Sequence, residues 1–357
     1  MAHESSQGYF RRVGQETHTE FWINNATAQE AEVALEAGAV GATTNPTYPA
    51  RLLKEESEYM LGLIDQVLKE TSDDNHAADL VYQRALSRLQ KIYHPLYVRT
   101  KGRFGYVAIQ GDPRVNTDPE AILEGAFRYL ELGENIIIKV PATPAGAIAM
   151  EKLVAAGVPT IATLCFSVDQ AVYMAETYRR SLKQSKTRPV CYVTLIAGIL
   201  DTHLAEVAEQ KRNVVSRELI QHAGVAASRV TYRIYRERGY EAILMGGGAR
   251  GAHHFTQLVG GAMAITIGWN LAEAILQTDD PVVSRIDEET PAHSLAELER
   301  HLPDYYKASH EHSLRAEEFR EFPPVAGFQN TFLKGIDTLL KAIGSRRALA
   351  AQGQTRR

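Results

Sequence analysis

An apolar run that ends in a lysine is the feature of this sequence with the clearest chemical consequence. Ile136, Ile137 and Ile138 lead directly into Lys139, which Val140 and a proline follow. Such a β-branched run is typical of a strand buried on both faces. A buried, unpaired ammonium group tends to lose its proton, and the neutral amine is a nucleophile that attacks carbonyl carbons. The alternative is a lysine whose stem packs against the strand while its charged head reaches solvent.

Eight apolar segments alternate with amphipathic helical segments along the chain. The predicted strands cover residues 21–24, 40–44, 105–110, 135–140, 159–163, 190–194, 242–246 and 262–267. This alternation predicts an α/β fold, a (β/α)8 TIM barrel with extra helices after strand 2 and at the C-terminus. We expect a single domain over residues 1–357, with a barrel core at about 21–280, a helical C-terminal extension at about 281–345 and a disordered basic tail at about 346–357. Catalytic groups in such barrels lie at the C-terminal ends of strands, which is where Lys139 falls.

A glycine-rich segment, GGGARG at residues 246–251, formally satisfies the G-x-G-x-x-G dinucleotide pattern. That pattern also needs an acidic residue about 20 positions further on, at the end of the next strand, whereas Glu273 falls inside a helix. Barrels of this class often bind phosphate through backbone N–H groups in the loops after strands seven and eight. Gly247 and Gly248 lie in such a loop, and Arg250 offers the planar donor fork that phosphate favours. The alternative is a tight glycine turn with a surface arginine.

The composition, the cysteine and histidine residues and the apolar segments limit the classes of function that fit this sequence. The chain is 45% hydrophobic and 23% charged with a formal net charge of -4, which is typical of soluble globular proteins and gives no reason to expect nucleic acid as a partner. Two cysteines provide no disulfide framework, and the histidines, including the adjacent His253 and His254, show no metal-ligand spacing, so we expect no metal and no cofactor. The longest apolar stretch, residues 258–276, is interrupted by Asn270 and Glu273 and predicts a strand followed by a helix rather than a membrane span. Without an apolar N-terminal segment, we expect a cytoplasmic protein.

Three motifs at the ends of predicted strands resemble those of the transaldolases. They are TTNPT at residues 43–47, IKVPATPAG at 138–146 and ATLCFSVDQA at 162–171, on the second, fourth and fifth strands. The resemblance runs in consistent order from Phe21 to about Gly268, and FQNTFLKG in the C-terminal segment matches again. Transaldolases are barrel-fold class I aldolases that use a Schiff-base lysine and no metal. The chain is identified as a divergent member of that family.

The resemblance implies roles for the residues at matching positions. Lys139 matches the Schiff-base lysine, and Asn45 matches the asparagine that holds a hydroxyl of the bound ketose chain. Thr163 matches the threonine that positions the catalytic water. Thr194 stands where the family usually has a serine that contacts the substrate, and Arg250 matches an arginine that binds the sugar phosphate.

The sequence departs from the family at the positions that usually carry the acid and base. Asn24 replaces an aspartate at the end of the first strand, and Gln110 replaces a glutamate at the end of the third. An amide does not transfer protons at neutral pH, so these two catalytic-site candidates can only orient a substrate hydroxyl or a water. Ile196 stands where the short fructose-6-phosphate aldolase relatives have an acidic tyrosine. Ile161 and Ile199 replace a usual asparagine and a second phosphate-binding arginine.

The missing carboxylates leave both the proton donor and the substrate open. Tyr192 and Thr194 alternate to the same side of the sixth strand, and either could be a substitute donor. The resemblance implies that a three-carbon dihydroxyacetone unit passes from a phosphorylated ketose to an aldose or aldose phosphate. The departures from the family indicate a specialised substrate. The alternatives are an aldolase that releases the three-carbon product and a catalytically inactive sugar-phosphate-binding barrel. The expected partners are small-molecule sugar phosphates, with no nucleic acid and no membrane, and a homo-oligomer remains open.

Overall fold

A computed structural model describes residues 8–211, 215–278 and 280–355. Within these ranges, eight parallel strands form a closed barrel in the order in which they occur in the chain. Their bounds are β1 Glu20–Asn24, β2 Ala42–Thr43, β3 Val107–Gln110, β4 Ile136–Pro141, β5 Thr160–Cys165, β6 Cys191–Leu195, β7 Ile243–Gly246 and β8 Ala264–Ile267. Each strand overlaps a segment predicted as a strand, so the predicted (β/α)8 barrel is confirmed.

Side chains inside the barrel form layers that explain how the site is positioned. Trp22, Ile137, Ile161, Tyr192 and Met245, each from a different strand, belong to one buried cluster. Because side chains alternate along a strand, the residue two positions further on also faces the interior, one layer closer to the C-terminal mouth. The apolar layer therefore places a second, largely polar layer of side chains directly above it.

Helices connect the strands and pack around the barrel. Their bounds are α1 Tyr9–Glu16, α2 Ala28–Ala37, α3 Tyr48–Glu55, α4 Ser57–Val67, α5 Asp74–Arg99, α6 Pro119–Leu130, α7 Pro144–Ala155, α8 Val168–Ser181, α9 Ala197–Gln210, α10 Arg217–Ile220, α11 Ala223–Glu237, α12 His253–Thr256, α13 Trp269–Thr278, α14 Ala292–His301, α15 Pro303–Ser309 and α16 Pro323–Thr355. Short 3-10 turns cover Pro113–Val115 and Ala316–Glu318. The helices that follow β4 and β5 begin at side-chain caps, since Thr143 and Ser167 accept hydrogen bonds from main-chain N–H groups in the first turn.

The extra helices lie where the sequence predicts them, but the C-terminal tail differs. Helices α3 to α5 fill the interval between β2 and β3, and α14 to α16 form the extension. The sequence predicts a disordered tail from about residue 346, whereas α16 continues through residues 346–355 in the structure. Arg346 Nε donates to Asp65 Oδ1 at 2.7 Å, and Arg347 Nε donates to Asp74 Oδ1 at 2.7 Å. These carboxylates belong to distant helices, so sequence position alone could not reveal them. Residues 356 and 357 lie outside the described ranges.

The apolar stretch at residues 258–276 contains β8 and the first part of α13, as predicted. In the described parts of the chain, no helix combines the length and the apolar character needed to cross a membrane.

Candidate active site

A pocket at the C-terminal mouth of the barrel brings together eight of the nine predicted site residues. The cavity measures about 180 Å³, and its lining includes Asn24, Asn45, Lys139, Thr163, Thr194, Gly247, Gly248 and Arg250. The ninth residue, Gln110, lies beside Lys139 in the register of β3 and β4 but is not part of the lining. Residues from six strands or their following loops therefore converge on one cavity.

Lys139 is buried at the base of this pocket. The residue is 9% exposed, and its Nζ donates a hydrogen bond to the main-chain oxygen of Thr44 at 3.1 Å. No carboxylate among the described residues forms an ion pair with it. Desolvation lowers the pKa of Lys139 from 10.5 to about 7. The alternative of a lysine with a solvated head does not fit this burial, and a substantial fraction of the amine is neutral at pH 7.

A bulge in β5 shapes the pocket wall next to Lys139. The pairing of β5 with β6 shifts register between Ala162 and Cys165, directly at Thr163, and Leu164 adopts a left-handed φ of 56°. The fully buried amide of Gln170 holds this geometry, because its Nε2 donates to the main-chain oxygens of Leu164 at 2.9 Å and Ala142 at 3.0 Å. One side chain of α8 thus fastens the ends of both β4 and β5.

Asparagines and threonines from the first two strands form the opposite wall. Asn24 Oδ1 accepts a hydrogen bond from the Thr43 hydroxyl at 3.0 Å, and Asn45 Oδ1 accepts from the Thr47 main-chain N–H at 2.9 Å and hydroxyl at 2.6 Å. These bonds use the amide oxygens and fix the orientation of both side chains. No acceptor in the described ranges binds the amide N–H groups, so both asparagines can donate to a ligand.

Two buried polar groups near Lys139 lack partners. Gln110 is 1% exposed, and neither its amide nitrogen nor its oxygen has a hydrogen-bond partner in the described chain. The Thr194 hydroxyl is also buried without a hydrogen-bond partner there. An unsatisfied buried polar group costs ~1–3 kcal/mol, so a bound molecule or water is the natural partner. Tyr192 differs, because its hydroxyl donates to Glu20 Oε2 at 3.1 Å one layer deeper in the barrel. Of the two open candidates for a substitute donor, only Thr194 lines the pocket.

The glycine-rich loop after β7 forms the rim that carries Arg250. A Cβ on Gly247 would lie 2.7 Å from Cγ2 of Thr194, and one on Gly248, whose φ is +65°, would lie 2.5 Å from Cγ2 of Ile196. Close packing therefore requires glycine at both positions. This explains the glycine-rich motif without invoking a bound dinucleotide. Arg250 is exposed, and no described carboxylate forms an ion pair with it. Its guanidinium is available to an anion that enters the pocket.

The C-terminal helix also contributes to the pocket, which the sequence did not reveal. Phe328, Thr331 and Phe332 of α16 line the cavity opposite the barrel. These residues lie in the FQNTFLKG segment, where the resemblance gave a match but no role. Asn25 and Thr47 were also missed, although each lies next to a predicted site residue or within the TTNPT motif.

Outside this pocket, the structure brings potential metal ligands together. Asp201, His253 and His254 each place one ligand atom within 4.8 Å of the others. The prediction of no metal site rested on linear spacing, which cannot detect a cluster formed by residues of two separate helices.

Comparison with known proteins identifies the family. The family model described as transaldolase/fructose-6-phosphate aldolase matches residues 21–322. A transaldolase of Thiobacillus denitrificans is 26% identical over 244 residues, which are 63% of this chain and 66% of that protein. Transaldolase 1 of Streptomyces avermitilis is 26% identical over 219 residues, 58% of this chain and 57% of that protein. These alignments span less than two thirds of each relative. Because the family model covers most of the chain, including all eight strands except the first residue of β1, this protein belongs to the transaldolase/fructose-6-phosphate aldolase family.

Proposed function

We propose that the chain is a transaldolase-type enzyme that forms a Schiff base at Lys139 with a ketose phosphate and transfers a three-carbon dihydroxyacetone unit to an aldose or aldose phosphate. The observation that carries the proposal is the buried Lys139 amine, whose pKa desolvation lowers to about 7. It faces a cavity with free amide donors on one wall and an arginine at the rim. Family membership and the names of the relatives support the same chemistry.

The reaction follows from a neutral amine in this position. The Lys139 nitrogen adds to the ketose carbonyl carbon, and loss of water from the carbinolamine gives an iminium ion. Deprotonation of the hydroxyl at C4 breaks the C3–C4 bond, the bonding electrons move toward the iminium nitrogen, and an aldehyde departs. The three-carbon enamine that remains on Lys139 then adds to the aldehyde of the acceptor. Hydrolysis of the new iminium releases the product ketose and restores the amine.

Proton transfer in this pocket depends on groups other than side-chain acids. The lining residues include no carboxylate, histidine, tyrosine or cysteine. A general acid or base contributes ~10²–10⁴-fold to the rate, so a site without one must use water or the substrate itself. We propose that Thr163 and Thr194, which line the pocket, hold such a water; the unpaired amide of Gln110, next to Lys139 in the strand register, is a further partner that we propose. We therefore propose a specialised substrate whose own hydroxyl groups take part in proton transfer.

The phosphate of the substrate is assigned to the rim near Arg250. A charge-assisted, bidentate contact to the guanidinium would be joined by main-chain N–H groups of the glycine-rich loop. The first turn of α9 packs directly against this loop, since a Cβ on Gly198 would lie 2.4 Å from the Gly248 oxygen. Its free N–H groups add positive potential at the same rim. A surface arginine on a plain turn would have no such surroundings.

A catalytically inactive sugar-phosphate binder is the competing class, and the buried amine argues against it. Binding of a neutral sugar hydroxyl needs no group that must give up its proton on burial, and an uncharged residue would serve at lower energetic cost.

The experiment that tests the proposal is borohydride trapping followed by mass spectrometry. With fructose 6-phosphate as the probe, we expect the reduced donor fragment on a peptide that contains Lys139. Lys139→Met should abolish labelling, whereas Lys152→Met, at an exposed lysine of α7, should retain it. Labelling that persists in Lys139→Met would place the nucleophile elsewhere and contradict the proposal. Adding an aldose phosphate separates transfer from release, because transfer forms a new ketose phosphate and release forms free dihydroxyacetone.

A further inference from the structure

Three ligand-type side chains meet behind the glycine-rich loop, outside the lining of the candidate active site. Asp201 belongs to α9, and His253 and His254 begin α12. A carboxylate oxygen and two imidazole nitrogens, one from each residue, lie within 4.8 Å of one another. Asp201 is 5% exposed and His254 3% exposed, and His253 is half-buried. The cluster is therefore largely shielded from water.

Both imidazoles are held by the main chain. Each ring forms a hydrogen bond to the main chain, His253 with Gln221 and His254 with Gly251. The Nε2 of His253 is buried and has no hydrogen-bond partner among the described residues. A neutral imidazole that uses one nitrogen to bind the main chain and presents the lone pair of the other is the arrangement usual for metal-ligating histidines.

The buried carboxyl group of Asp201 pairs with His254. Its Oδ1 accepts the Gly224 N–H at 2.6 Å, and its Oδ2 lies 2.9 Å from His254 Nε2. No lysine or arginine in the described ranges forms an ion pair with it. A buried carboxylate without a compensating cation is unfavourable.

A shared proton and a metal ion would satisfy the side chains of this cluster to different extents. One proton between Asp201 Oδ2 and His254 Nε2 satisfies that pair but leaves His253 Nε2 unsatisfied. A divalent cation would bind the lone pairs of both nitrogens and one oxygen of Asp201. We propose that Asp201, His253 and His254 bind a divalent transition-metal ion, with Zn²⁺ favoured by the two imidazoles and one carboxylate, and with water at the fourth position.

Such an ion would stabilise the rim of the candidate active site. His254 Nδ1 lies 3.4 Å from the main-chain nitrogen of Arg250, and α9, which carries Asp201, packs against the same loop. The ion would join α9 to α12 and fix the loop between β7 and α12. This role is separate from Schiff-base chemistry, and it stands whether or not Lys139 is a nucleophile.

The test is metal binding by the full-length chain without an affinity tag. After loading with excess Zn²⁺ and extensive dialysis, we expect one zinc ion per chain by inductively coupled plasma mass spectrometry. Replacement by Co²⁺ should give the intense visible absorption of a four-coordinate site. His253→Ala is the decisive variant, because the Nε2 that it removes has no hydrogen bond to lose. Its affinity for Zn²⁺ should fall by more than the ~10–100-fold typical of changing an outer-shell partner.

Matched variants make the outcome unambiguous. His94→Ala removes an exposed histidine of α5 and should leave Zn²⁺ affinity unchanged. Asp201→Asn keeps an acceptor for the Gly224 N–H but loses the charge, so it should also bind zinc weakly while circular dichroism stays unchanged. Absence of bound zinc after loading, or equal affinity in the wild type and His253→Ala, would overturn the proposal. Borohydride trapping at Lys139 is measured separately, so failure of either proposal is recognised independently.

Discussion

Replacing Lys139 by methionine should stabilise the protein while it abolishes trapping of the substrate. Methionine has a similar length and no charge, so it fills the same space in the base of the pocket without requiring a proton to be lost. The native lysine is held at a pKa of about 7 by desolvation, whereas its ordinary value is 10.5. Keeping this amine neutral therefore lowers the free energy of unfolding of the wild type, and the variant does not have this penalty.

The magnitude and its pH dependence follow from proton linkage. Each pKa unit corresponds to 1.36 kcal/mol, so the difference between a pKa of 10.5 and one of about 7 amounts to ~5 kcal/mol of stability. Loss of the hydrogen bond to the Thr44 oxygen offsets about 1 kcal/mol, which leaves a gain of ~4 kcal/mol at and below pH 7. Between pH 7 and 10.5 the unfolded wild type keeps a proton that the folded wild type has released, so wild-type stability rises with pH. The advantage of Lys139→Met should shrink by ~1.4 kcal/mol per pH unit and vanish at pH ~10.

Urea denaturation of both proteins between pH 6 and 10 measures this difference directly. The pH dependence of all other groups is shared by the two proteins and cancels in the comparison. Lys152→Met is the control, because its exposed pair with Glu120 should change stability by less than ~1 kcal/mol at any pH. A difference between Lys139→Met and wild type that is small at pH 7, or that does not decline with pH, would show that Lys139 is not a desolvated amine and would refute the reasoning.

Three further predictions address the chemistry. The rate of borohydride trapping at saturating fructose 6-phosphate should rise with pH below about 7 and level off above it, since the neutral amine is the reactive form; a rise that continues to pH 10 would contradict the lowered pKa of Lys139. Arg250→Ala should raise KM for a phosphorylated ketose and leave an unphosphorylated one nearly unchanged, and equal losses on both would indicate a structural role for the arginine. Asn24→Asp keeps the acceptor for the Thr43 hydroxyl and adds a group able to transfer protons, so single-turnover kinetics with fructose 6-phosphate should show a gain of up to ~10²–10⁴-fold. Rapid wild-type turnover that is unchanged or reduced in this variant would mean that proton transfer does not limit the native site.

The sequence predicts the inner layers of the barrel because they follow a strict rule. Seven of the eight described strands, all except β2, contribute an apolar residue to the interior cluster, and the residue two positions later faces the mouth. Trp22 thus leads to Asn24, Ile137 to Lys139, and Ile161 to Thr163. Alternation is a property of the backbone, so the strand ends and the motif positions were sufficient to place these residues together.

Features that depend on long-range contacts could not be predicted in the same way. The amide of Gln170 holds the ends of two strands through main-chain oxygens, and although this residue lies in the ATLCFSVDQA motif, neither alternation nor spacing predicts those contacts. The Asp201 cluster joins residues about 50 positions apart in the sequence. Helix α16 reaches the pocket only because its packing on the barrel brings Phe328 and Phe332 to the mouth. Each case requires the tertiary structure to define the partner.

The energetic cost of the pocket is itself evidence for a ligand. A desolvated lysine, an amide of Gln110 without partners and an unpaired Thr194 hydroxyl lie together inside an otherwise well-packed barrel. Apolar residues at these positions would give a more stable protein, because unsatisfied buried polar groups cost ~1–3 kcal/mol each and the amine costs more. The arrangement is favourable only when something supplies a carbonyl carbon to the amine, and hydroxyl groups or water to the amide and the threonine. A polyhydroxylated ketose would meet both requirements, which supports the proposed sugar substrate even though the usual carboxylates are absent.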